Sequence, residues 1–400
     1  MKRVLMLASV ASMIDQFNMP NIALLQKLGY EVDVACNFIE GNTCSDARVA
    51  ELKQKLQDMH VRCYQIDFAR NIKHMGQNMR ALRQIESLMK QNRYAFCHCH
   101  SPIGGVVARI AGHRTKTKVI YTAHGFHFYQ GAPIVNWLVY YPVEKVLSRW
   151  TDVLITINHE DYALAKKKFH AKKTYYLPGI GIDLEKFHVG NAEDIEKKRQ
   201  ELGLHPKDIF LLSVGELSDR KNHVVVIEAM KYLVQNYPQL KYFICGQGEK
   251  KQELQQLIRD YHLEDHVKLL GFRTDVAGLC QAADVFVFPS KQEGLPVALM
   301  EAMACGVPVV CSRIRGNTDL VEDEKGGILL DFEDVGAYEN VLLMLLKIKL
   351  QKLKTKKISV TVGKKKTIKI VKKKKSCKYT FKSNKKKVAK VSKKGVVTGQ

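Results

Sequence analysis

The 400-residue sequence predicts an α/β fold: two parallel-sheet domains that face each other across a cleft, followed by a short lysine-rich all-β segment. Three observations support this prediction. Short apolar runs alternate with helical patterns in two successive series, a stretch containing Pro and Gly separates the series, and lysine alternates with β-branched or aromatic residues near the C-terminus. Apolar strands separated by helices form βαβ units, whose parallel sheets are covered by helices on both faces.

The first series occupies residues 1–176. Its candidate strands are 3–9, 31–37, 62–67, 95–100, 118–124 and 153–158, with helical patterns that include 46–59 and 76–92. The N-terminal segment MKRVLMLASVASMI mimics a signal peptide, but its apolar part is short and leads directly into the patterned segments. We therefore expect a buried first strand rather than a targeting segment.

The second series occupies residues 191–346, after a predicted hinge at 177–190 that has no periodicity. Its candidate strands are 209–216, 241–248, 267–272, 285–290, 308–313 and 326–331, with helices that include 222–236, 249–262 and 296–304. The order of elements matches the first series. In open α/β sheets ligands bind outside the carboxyl ends of the strands, so the cleft between the two domains is the predicted ligand site.

The charge of the chain is concentrated at its C-terminal end. The formal net charge is +24, but residues 347–400 hold 22 lysines and no acidic residue, which leaves 42 basic against 40 acidic residues elsewhere. A nucleic-acid partner is therefore not predicted. The ten cysteines are scattered through apolar runs, which is typical of reduced thiols in a cytoplasmic protein. No apolar run reaches 18 residues, so no transmembrane helix is predicted.

The run Cys97-His98-Cys99-His100 looks like a metal site, but no second pair at ligand spacing accompanies it. On a strand the two cysteines would face one way and the two histidines the other, which suits tetrahedral coordination poorly. We predict no metal site and no cofactor.

The stretch EGLPVALMEA places two carboxylates around the start of a helix. Pro296 suits the first helical position, and a helix N-terminus is a natural seat for a phosphate. Glu293 would precede this seat and Glu301 would lie beside the same pocket, which is the outline of a nucleotide-sugar site. The alternative, weighted equally, is a buried paired carboxylate at Glu301 and a solvated loop charge at Glu293. Gly294 and Leu295 form the entry loop of this helix, which is predicted to start at about Pro296 and continue through Val297.

Other strand ends contribute to the same cleft. Arg220 and Lys221 follow the strand at 209–216, where cations can neutralise a diphosphate, although they could also be solvated loop charges. His124 ends the strand at 118–124, which favours a functional role over a structural one. Phe272 and Arg273 follow a further strand at the same edge and are a weaker signal.

These residues resemble the family 4 glycosyltransferases, which have the GT-B fold of two Rossmann-like domains. The resemblance covers about residues 1–340, and SMIDQFNMPNI, YTAHGFHFYQGAP and ITINHEDYALAKKKF are similar to bacterial members that build exopolysaccharide or capsule repeat units. It implies that Glu301 holds the ribose, Glu293 the sugar hydroxyls and Lys221 the diphosphate. It also implies that backbone groups of 294–297 hold the distal phosphate, that those around 272–273 hold the base, and that His124 lies beside the reacting sugar.

The resemblance further implies a retaining, metal-independent hexosyltransferase in exopolysaccharide, capsule or cell-wall glycan synthesis. The expected donor is a nucleotide-sugar, with UDP favoured, and the expected acceptor is a lipid-linked saccharide at the inner face of the plasma membrane. The stretch YALAKKKFHAKK (162–173), near aromatic-rich 136–150, is a candidate membrane-facing surface or else a solvated helix face. A nucleotide-sugar 2-epimerase on the same fold is the alternative enzyme. The oligomeric state is not predicted.

Three features depart from the family. Glu216 stands where members often have Arg, a position whose charge Arg220 could supply, and the usual double glycine of the first loop is replaced in SVASMIDQF. The third departure is the C-terminal segment, 352–400, which resembles part of a bacterial group 2 immunoglobulin-like domain. We interpret this segment as a fusion or an artefact of assembly. The chain could then be inactive, or the segment could act as a surface module or a cationic tail on anionic lipid.

Overall fold

The computed structural model describes residues 2–42, 44–69, 74–354, 365–367, 389–391 and 396–399. The chain divides into two compact units, Met1–Glu339 and Asn340–Gln400. The first unit contains two parallel sheets, one from each series of elements in the sequence. This confirms the predicted α/β fold with two Rossmann-like domains.

The N-terminal sheet has the order β3-β2-β1-β4-β5-β6-β7 and is parallel throughout. Its strands are β1 (Lys2–Val10), β2 (Tyr30–Asn37), β3 (Arg62–Gln65), β4 (Phe96–His100), β5 (Val119–Ala123), β6 (Val153–Thr156) and β7 (Lys173–Tyr176). The helices of this domain are α1 (Ala11–Phe17), α2 (Met19–Lys27), α3 (Asp46–Asp58), α4 (Met75–Asn92), α5 (Pro102–Thr115), α6 (Ile134–Leu147) and α7 (His159–Lys168), with a 3-10 turn at Ser148–Trp150.

The second sheet has the order β10-β9-β8-β11-β12-β13, which repeats the first without its last strand. Its strands are β8 (Ile209–Val214), β9 (Leu240–Cys245), β10 (Val267–Gly271), β11 (Val285–Phe288), β12 (Val309–Ser312) and β13 (Gly327–Leu330). Its helices are α8 (Ala192–Glu201), α9 (His223–Leu233), α10 (Lys251–Asp260), α11 (Val276–Ala282), α12 (Val297–Ala304) and α13 (Asn317–Leu320), with a 3-10 turn at Asp219–Lys221. A further helix, α14 (Val335–Lys354), follows.

Alternate residues of β1 pack into different cores. Leu5 and Leu7 join the cluster that α4 and α5 cover, whereas Val4 and Met6 join the cluster that α3 covers. Because successive side chains of a strand point to opposite faces, a strand buried on both sides must be apolar at every position. The parallel pairing of β1 with β4 and of β4 with β5 aligns the carboxyl ends of these strands at one edge of the sheet.

In the second unit three short strands form an antiparallel sheet in the order β14-β16-β15. They are β14 (Lys365–Thr367), β15 (Ala389–Val391) and β16 (Val396–Gly399). Most of the predicted all-β segment at 352–400 lies outside the described residues, and its first three residues belong to α14 because the helix continues to Lys354. Among the described helices, none combines the length and the apolar character that crossing a bilayer requires.

Candidate active site

The loop between β11 and α12 carries the predicted glutamate. Pro296 is the N-cap of α12 in an extended conformation (φ −81°, ψ 113°), and Val297 is the first helical residue. The sequence prediction of Pro296 as the first helical residue is therefore wrong by one position. The ring fixes φ near the value that a helix start requires, and Pro at either position leaves the first free N–H groups to the residues after it.

Glu293 lies in a compact cluster of charges. Its Oε1 accepts hydrogen bonds from Lys221 Nζ at 2.8 Å and from Arg220 Nη1 at 3.0 Å. The Glu293 and Lys221 side chains are only 10% and 11% exposed, so neither is a solvated loop charge. The Arg220 side chain is 41% exposed. Three of the predicted site residues are thus in direct contact, at the carboxyl ends of β8 and β11.

The environment of Lys221 is both charged and apolar. Its ammonium lies 4.5 Å from the centroid of the Phe288 ring. Burial lowers the pKa of Lys221, and the Glu293 carboxylate opposes this shift. An ammonium that has lost most of its water depends on a neighbouring anion, so a ligand diphosphate could take the place of Glu293 as its partner.

Glu216 occupies the position where the sequence departs from the family. Its Oε2 lies 3.9 Å from Arg220 Nη2, and both side chains are substantially exposed. Arg220 therefore stands between two carboxylates, Glu216 and Glu293. This geometry places the Arg220 charge beside Lys221. The position is compatible with the expectation that Arg220 supplies the charge of the family arginine that Glu216 replaces.

Glu301 lies on α12 and is partly buried. Burial raises the pKa of Glu301 to about 7, and the Lys186 ammonium opposes the shift. Within the described part of the chain, no hydrogen bond or ion pair to its carboxylate is found, so the alternative of a structurally paired Glu301 has no support. A partly buried carboxylate without a partner is costly unless a ligand supplies donors.

On the N-terminal side, His124 follows β5 and contacts a second histidine. His124 Nε2 lies 3.0 Å from Nδ1 of His100, which is at the end of β4. Burial lowers the pKa of His124 to about 4, so the imidazole is neutral at physiological pH. His100 Nε2 is buried without a hydrogen-bond partner.

The buried nitrogen of His100 determines the tautomers of the pair. An orphaned N–H is rarer in proteins than an orphaned acceptor, and on this ground we assign His100 Nε2 as the unprotonated nitrogen. His100 Nδ1–H then donates to His124 Nε2, and His124 carries its proton on Nδ1. His124 therefore offers an N–H donor on its Nδ1 side.

The loops of the two domains meet at Gly294. A Cβ on Gly294 would lie 1.8 Å from the carbonyl oxygen of His124, so only glycine permits this approach. The same loop is close to Gly125, since a Cβ there would lie 2.9 Å from the Gly294 Cα. The structure thus brings the Glu293 loop against the His124 loop, as the two-domain site requires.

Arg315 is a residue that the sequence analysis missed. Its Nη1 donates to Asp161 Oδ1 at 2.6 Å, its Nη2 to the Phe126 carbonyl at 3.1 Å, and its Nε to the Glu293 carbonyl at 3.2 Å. The Arg315 and Asp161 side chains are 5% and 1% exposed. Arg315 therefore joins the Glu293 loop to the N-terminal domain through a buried ion pair. The sequence offered only Gly316, directly after the arginine, as a signal; in the structure its φ is +82° and a Cβ there would lie 2.5 Å from the Gly294 carbonyl oxygen.

A cavity of about 620 Å³ opens beside this contact. Of the predicted site residues, Glu293 lines it; the other lining residues include Tyr129, His159, Lys291 and Arg313. Phe272 is 66% exposed, and the Arg273 guanidinium is held by Asp275 at 2.7 Å and Glu201 at 2.8 Å. These two residues are not in contact with the Glu293 cluster, and their predicted role with the base stays a prediction.

Metal ligation has no candidate group in the residues that the structure describes, where no three His, Cys, Asp or Glu side chains are placed to hold an ion. The rings of His98 and His100 lie together, 4.3 Å apart. His98 Nε2 lies 2.9 Å from Thr122 Oγ1, and His100 Nδ1 lies 3.0 Å from His124 Nε2. Each of the two rings therefore has a hydrogen-bond partner within the domain. The expectation of a metal-independent enzyme stays a prediction.

Comparison with known proteins supports the glycosyltransferase resemblance for both domains. Residues 19–175 match the glycosyl transferase 4-like domain, and residues 194–359 match the glycosyl transferases group 1. The chain is 35% identical over 341 residues to EpsD of Bacillus subtilis, a provisionally assigned glycosyltransferase, covering 84% of this chain and 85% of EpsD. It is 34% identical over 273 residues to the UDP-Gal:alpha-D-GlcNAc-diphosphoundecaprenol alpha-1,3-galactosyltransferase of Escherichia coli, covering 66% of this chain and 70% of that enzyme.

Among solved structures, Anabaena Alr3699/HepE in complex with UDP-glucose has the same fold, with a TM-score of 0.70 at 21% identity over 88% of this chain and 91% of that one. The fold and site define a two-domain enzyme of the GT-B class. The chain belongs to the group 1 glycosyltransferases with a 4-like N-terminal domain. No comparison supports the immunoglobulin-like resemblance of the C-terminal segment, which stays a prediction.

Proposed function

We propose that this glycosyltransferase transfers a sugar, with retention of configuration, from a UDP-sugar to a lipid-linked saccharide during exopolysaccharide or capsule synthesis. The observation that carries the proposal is the contact of Glu293 with Lys221 and Arg220, at the start of α12 and against the His124 loop. The E. coli relative is named for a UDP-sugar donor and a diphosphoundecaprenol acceptor, which favours the same substrate classes here.

The charges of the cluster suit a diphosphate leaving group. When a donor binds, the diphosphate would replace Glu293 as the partner of Lys221 and Arg220, and the free N–H groups at the start of α12 would hold the distal phosphate. Negative charge grows on that phosphate as the bond to the anomeric carbon breaks. Cations fixed in a water-poor site stabilise this developing charge more than they stabilise the bound donor.

The released Glu293 carboxylate can then accept hydrogen bonds from hydroxyls of the transferred sugar. His124, with a proton on Nδ1, can donate to an oxygen of the same sugar. Glu301 can accept from the ribose hydroxyls. The acceptor hydroxyl attacks the anomeric carbon from the face that the diphosphate leaves, its proton passes to the leaving diphosphate, and the protein contributes position and charge stabilisation.

The membrane location follows from the acceptor. A saccharide on a polyprenyl diphosphate stays at the bilayer surface, so the enzyme is proposed to act as a peripheral protein at the inner face of the plasma membrane.

Transfer assays with purified full-length chain test the proposal. Radiolabelled UDP-sugars are supplied with and without a synthetic undecaprenyl-diphosphate-linked saccharide in detergent. The expected result is label in the lipid fraction only when the acceptor is present, and its loss in Glu293→Ala. Conversion of the donor without acceptor would indicate the epimerase instead. Absence of any donor consumption across the panel would contradict the proposal and favour an inactive fusion chain.

A further inference from the structure

Helix α6 exposes an apolar stripe to solvent. The exposed fractions are 61% for Val135, 70% for Leu138, 43% for Val139, 43% for Val143 and 49% for Val146. Ile134, at the start of the helix, is 74% exposed. Residues spaced by three and four lie on one face of a helix, so these side chains form a continuous surface along its length.

The other face of α6 is fixed to the domain. Glu144 forms a buried double hydrogen bond with Arg109 of α5, at 2.7 and 3.0 Å. Trp137 and Tyr141 pack against Phe128, with ring centroids 5.6 and 5.5 Å apart. The orientation of α6 is therefore set by its inner face, and the exposed stripe is not a consequence of a loosely held helix. Soluble chains leave apolar patches of this length uncovered mainly where something binds them.

Exposed basic residues lie near the C-terminal end of α6. The last turn of α7 carries three exposed lysines, Lys166, Lys167 and Lys168. The next residue, Phe169, packs on Tyr141 with ring centroids 5.9 Å apart. The backbone N–H of His170 donates to Ser148 Oγ at 2.9 Å, so this basic turn is anchored beside the C-terminal end of α6.

Acidic side chains near the stripe are shielded or lie away from it. Glu144 is buried with Arg109, and Asp161 is buried with Arg315. Asp152 is paired with Lys172 at 2.6 Å. An apolar stripe with exposed lysines near one end complements an anionic bilayer surface, where the apolar side chains enter the acyl boundary and the ammonium groups meet lipid phosphates.

The stripe lies next to the proposed reaction site. The loop after His124 leads into α6, and Asn136 Nδ2 of α6 donates to the carbonyl of His127 at 2.9 Å. A bilayer seated on α6 would therefore bring a membrane-anchored acceptor to the N-terminal side of the cleft.

We propose that the exposed face of α6 (Ile134, Val135, Leu138, Val139, Val143 and Val146), with the lysines at the end of α7, docks on an anionic lipid bilayer. This surface gives the proposed lipid-linked acceptor its route to the cleft, and in that respect the inference rests on the proposed function. The sequence pattern indicated a basic helix near an aromatic-rich stretch, and the structure assigns the apolar contact to α6.

Tryptophan fluorescence offers a local probe of this contact. The chain has two tryptophans, Trp137 and Trp150, and both belong to α6 or the 3-10 turn that follows it. Full-length chain is mixed with phosphatidylglycerol–phosphatidylcholine vesicles whose acyl chains carry bromine, which quenches nearby tryptophan. The expected result is quenching that grows with vesicle concentration. The variant Val135→Asp/Leu138→Asp should weaken vesicle affinity by about tenfold or more, because each aspartate replaces an exposed apolar side chain that enters the acyl boundary on docking.

Leu28→Asp is the matched control. Leu28 is 64% exposed and is the C-cap of α2, which packs on β2. In the sheet, β1 and β4 separate β2 from β5 and β6, the strands that precede and follow α6. This variant should be quenched as the wild type is. The lysine-rich C-terminal segment is present in all variants, so sedimentation with vesicles without tryptophan quenching would show binding by that segment and overturn the proposal. Formation of a dimer at rising protein concentration, without vesicles, would also overturn the proposal if the double variant stayed monomeric. The exposed face of α6 would then be the contact with a second copy of this chain.

Transfer to a short-chain, water-soluble acceptor separates this inference from the proposed function. The double variant should retain wild-type transfer to such an acceptor, which also shows that it is folded. If the wild type is quenched but transfers no sugar, the proposed function fails and the docking surface stands. If transfer is normal and quenching is equal in the wild type and the double variant, the docking surface fails alone.

Discussion

Replacement of Glu301 by Gln is expected to remove a pH dependence of UDP binding that the wild-type chain shows. Burial raises the pKa of Glu301 to about 7. Ribose hydroxyls donate to a carboxylate better than to a protonated carboxyl group, so binding favours the ionised form. The affinity should therefore be lowest at acidic pH, rise about tenfold for each pH unit below this pKa, and level off above it.

Titration calorimetry with UDP at pH values from about 5.5 to 8.5 measures this profile. UDP itself loses a phosphate proton in this range, so the ratio of wild-type to Glu301→Gln affinity at each pH is the informative quantity. Burial also lowers the pKa of His124 and His98 to about 4, so neither imidazole changes charge in this window. A ratio that is constant with pH, or that rises on acidification, would refute the assignment of Glu301 to the ribose.

The raised pKa of Glu301 also makes the free energy of unfolding depend on pH. Because the folded chain holds the Glu301 proton more tightly than the unfolded chain, the wild type loses stability as the pH rises from about 4.5 through about 7. Glu301→Gln lacks this loss. Without UDP, the variant is expected to melt at a higher temperature than the wild type above pH 7, and at a similar temperature near pH 4.5.

Two further substitutions test the contact between the domains. Arg315→Met breaks the buried pair with Asp161 and should lower the free energy of unfolding by about 3 kcal/mol at pH 8. Burial raises the pKa of Asp161 and Arg315 opposes it, so in the variant Asp161 takes up a proton more readily. The loss measured by urea denaturation should be smaller near pH 5, and equal losses at both pH values would contradict this. Gly294→Ala places a Cβ against the His124 carbonyl and should slow transfer by about 100-fold through misplacement of the loop. Gly76→Ala, which meets no atom within 4 Å, should leave the rate unchanged.

Local patterns identified most of the fold. Each strand predicted in the two series has a counterpart in the structure. Most of these strands are buried on both faces and are therefore apolar at almost every position, although β3 is a largely exposed edge strand. The prediction missed β7, whose residues KTYY alternate between exposed and half-buried at the sheet edge. An edge strand of four residues with one lysine has no continuous apolar signal, and it lies beside a basic run.

The site was predicted in part. The grouping of Glu293, Lys221 and Arg220 was predicted because each follows a strand at the carboxyl edge, and strand topology alone brings such residues together. Arg315 and Asp161 were missed because their pairing joins residues 154 positions apart in different domains. Sequence periodicity reports the burial of elements within a domain and carries no information on how two domains meet.

The exposed stripe of α6 could not be predicted for a related reason. The helix is apolar on most of its circumference, which is typical of a buried helix. Only the structure shows that Trp137, Tyr141 and Glu144 face the domain whereas Leu138 and its neighbours face solvent.

The measurement that most directly tests the proposed role of the Glu293 cluster is acceptor-dependent sugar transfer by Glu293→Gln, made together with its affinity for UDP. The Glu293 carboxylate accepts hydrogen bonds from Lys221 and Arg220, so loss of its charge leaves both cations more available to the diphosphate. The variant is expected to bind UDP at least as tightly as the wild type but to transfer sugar about 100-fold more slowly or worse, because the sugar hydroxyls lose their acceptor. A transfer rate equal to that of the wild type would contradict the role of Glu293 at the reacting sugar.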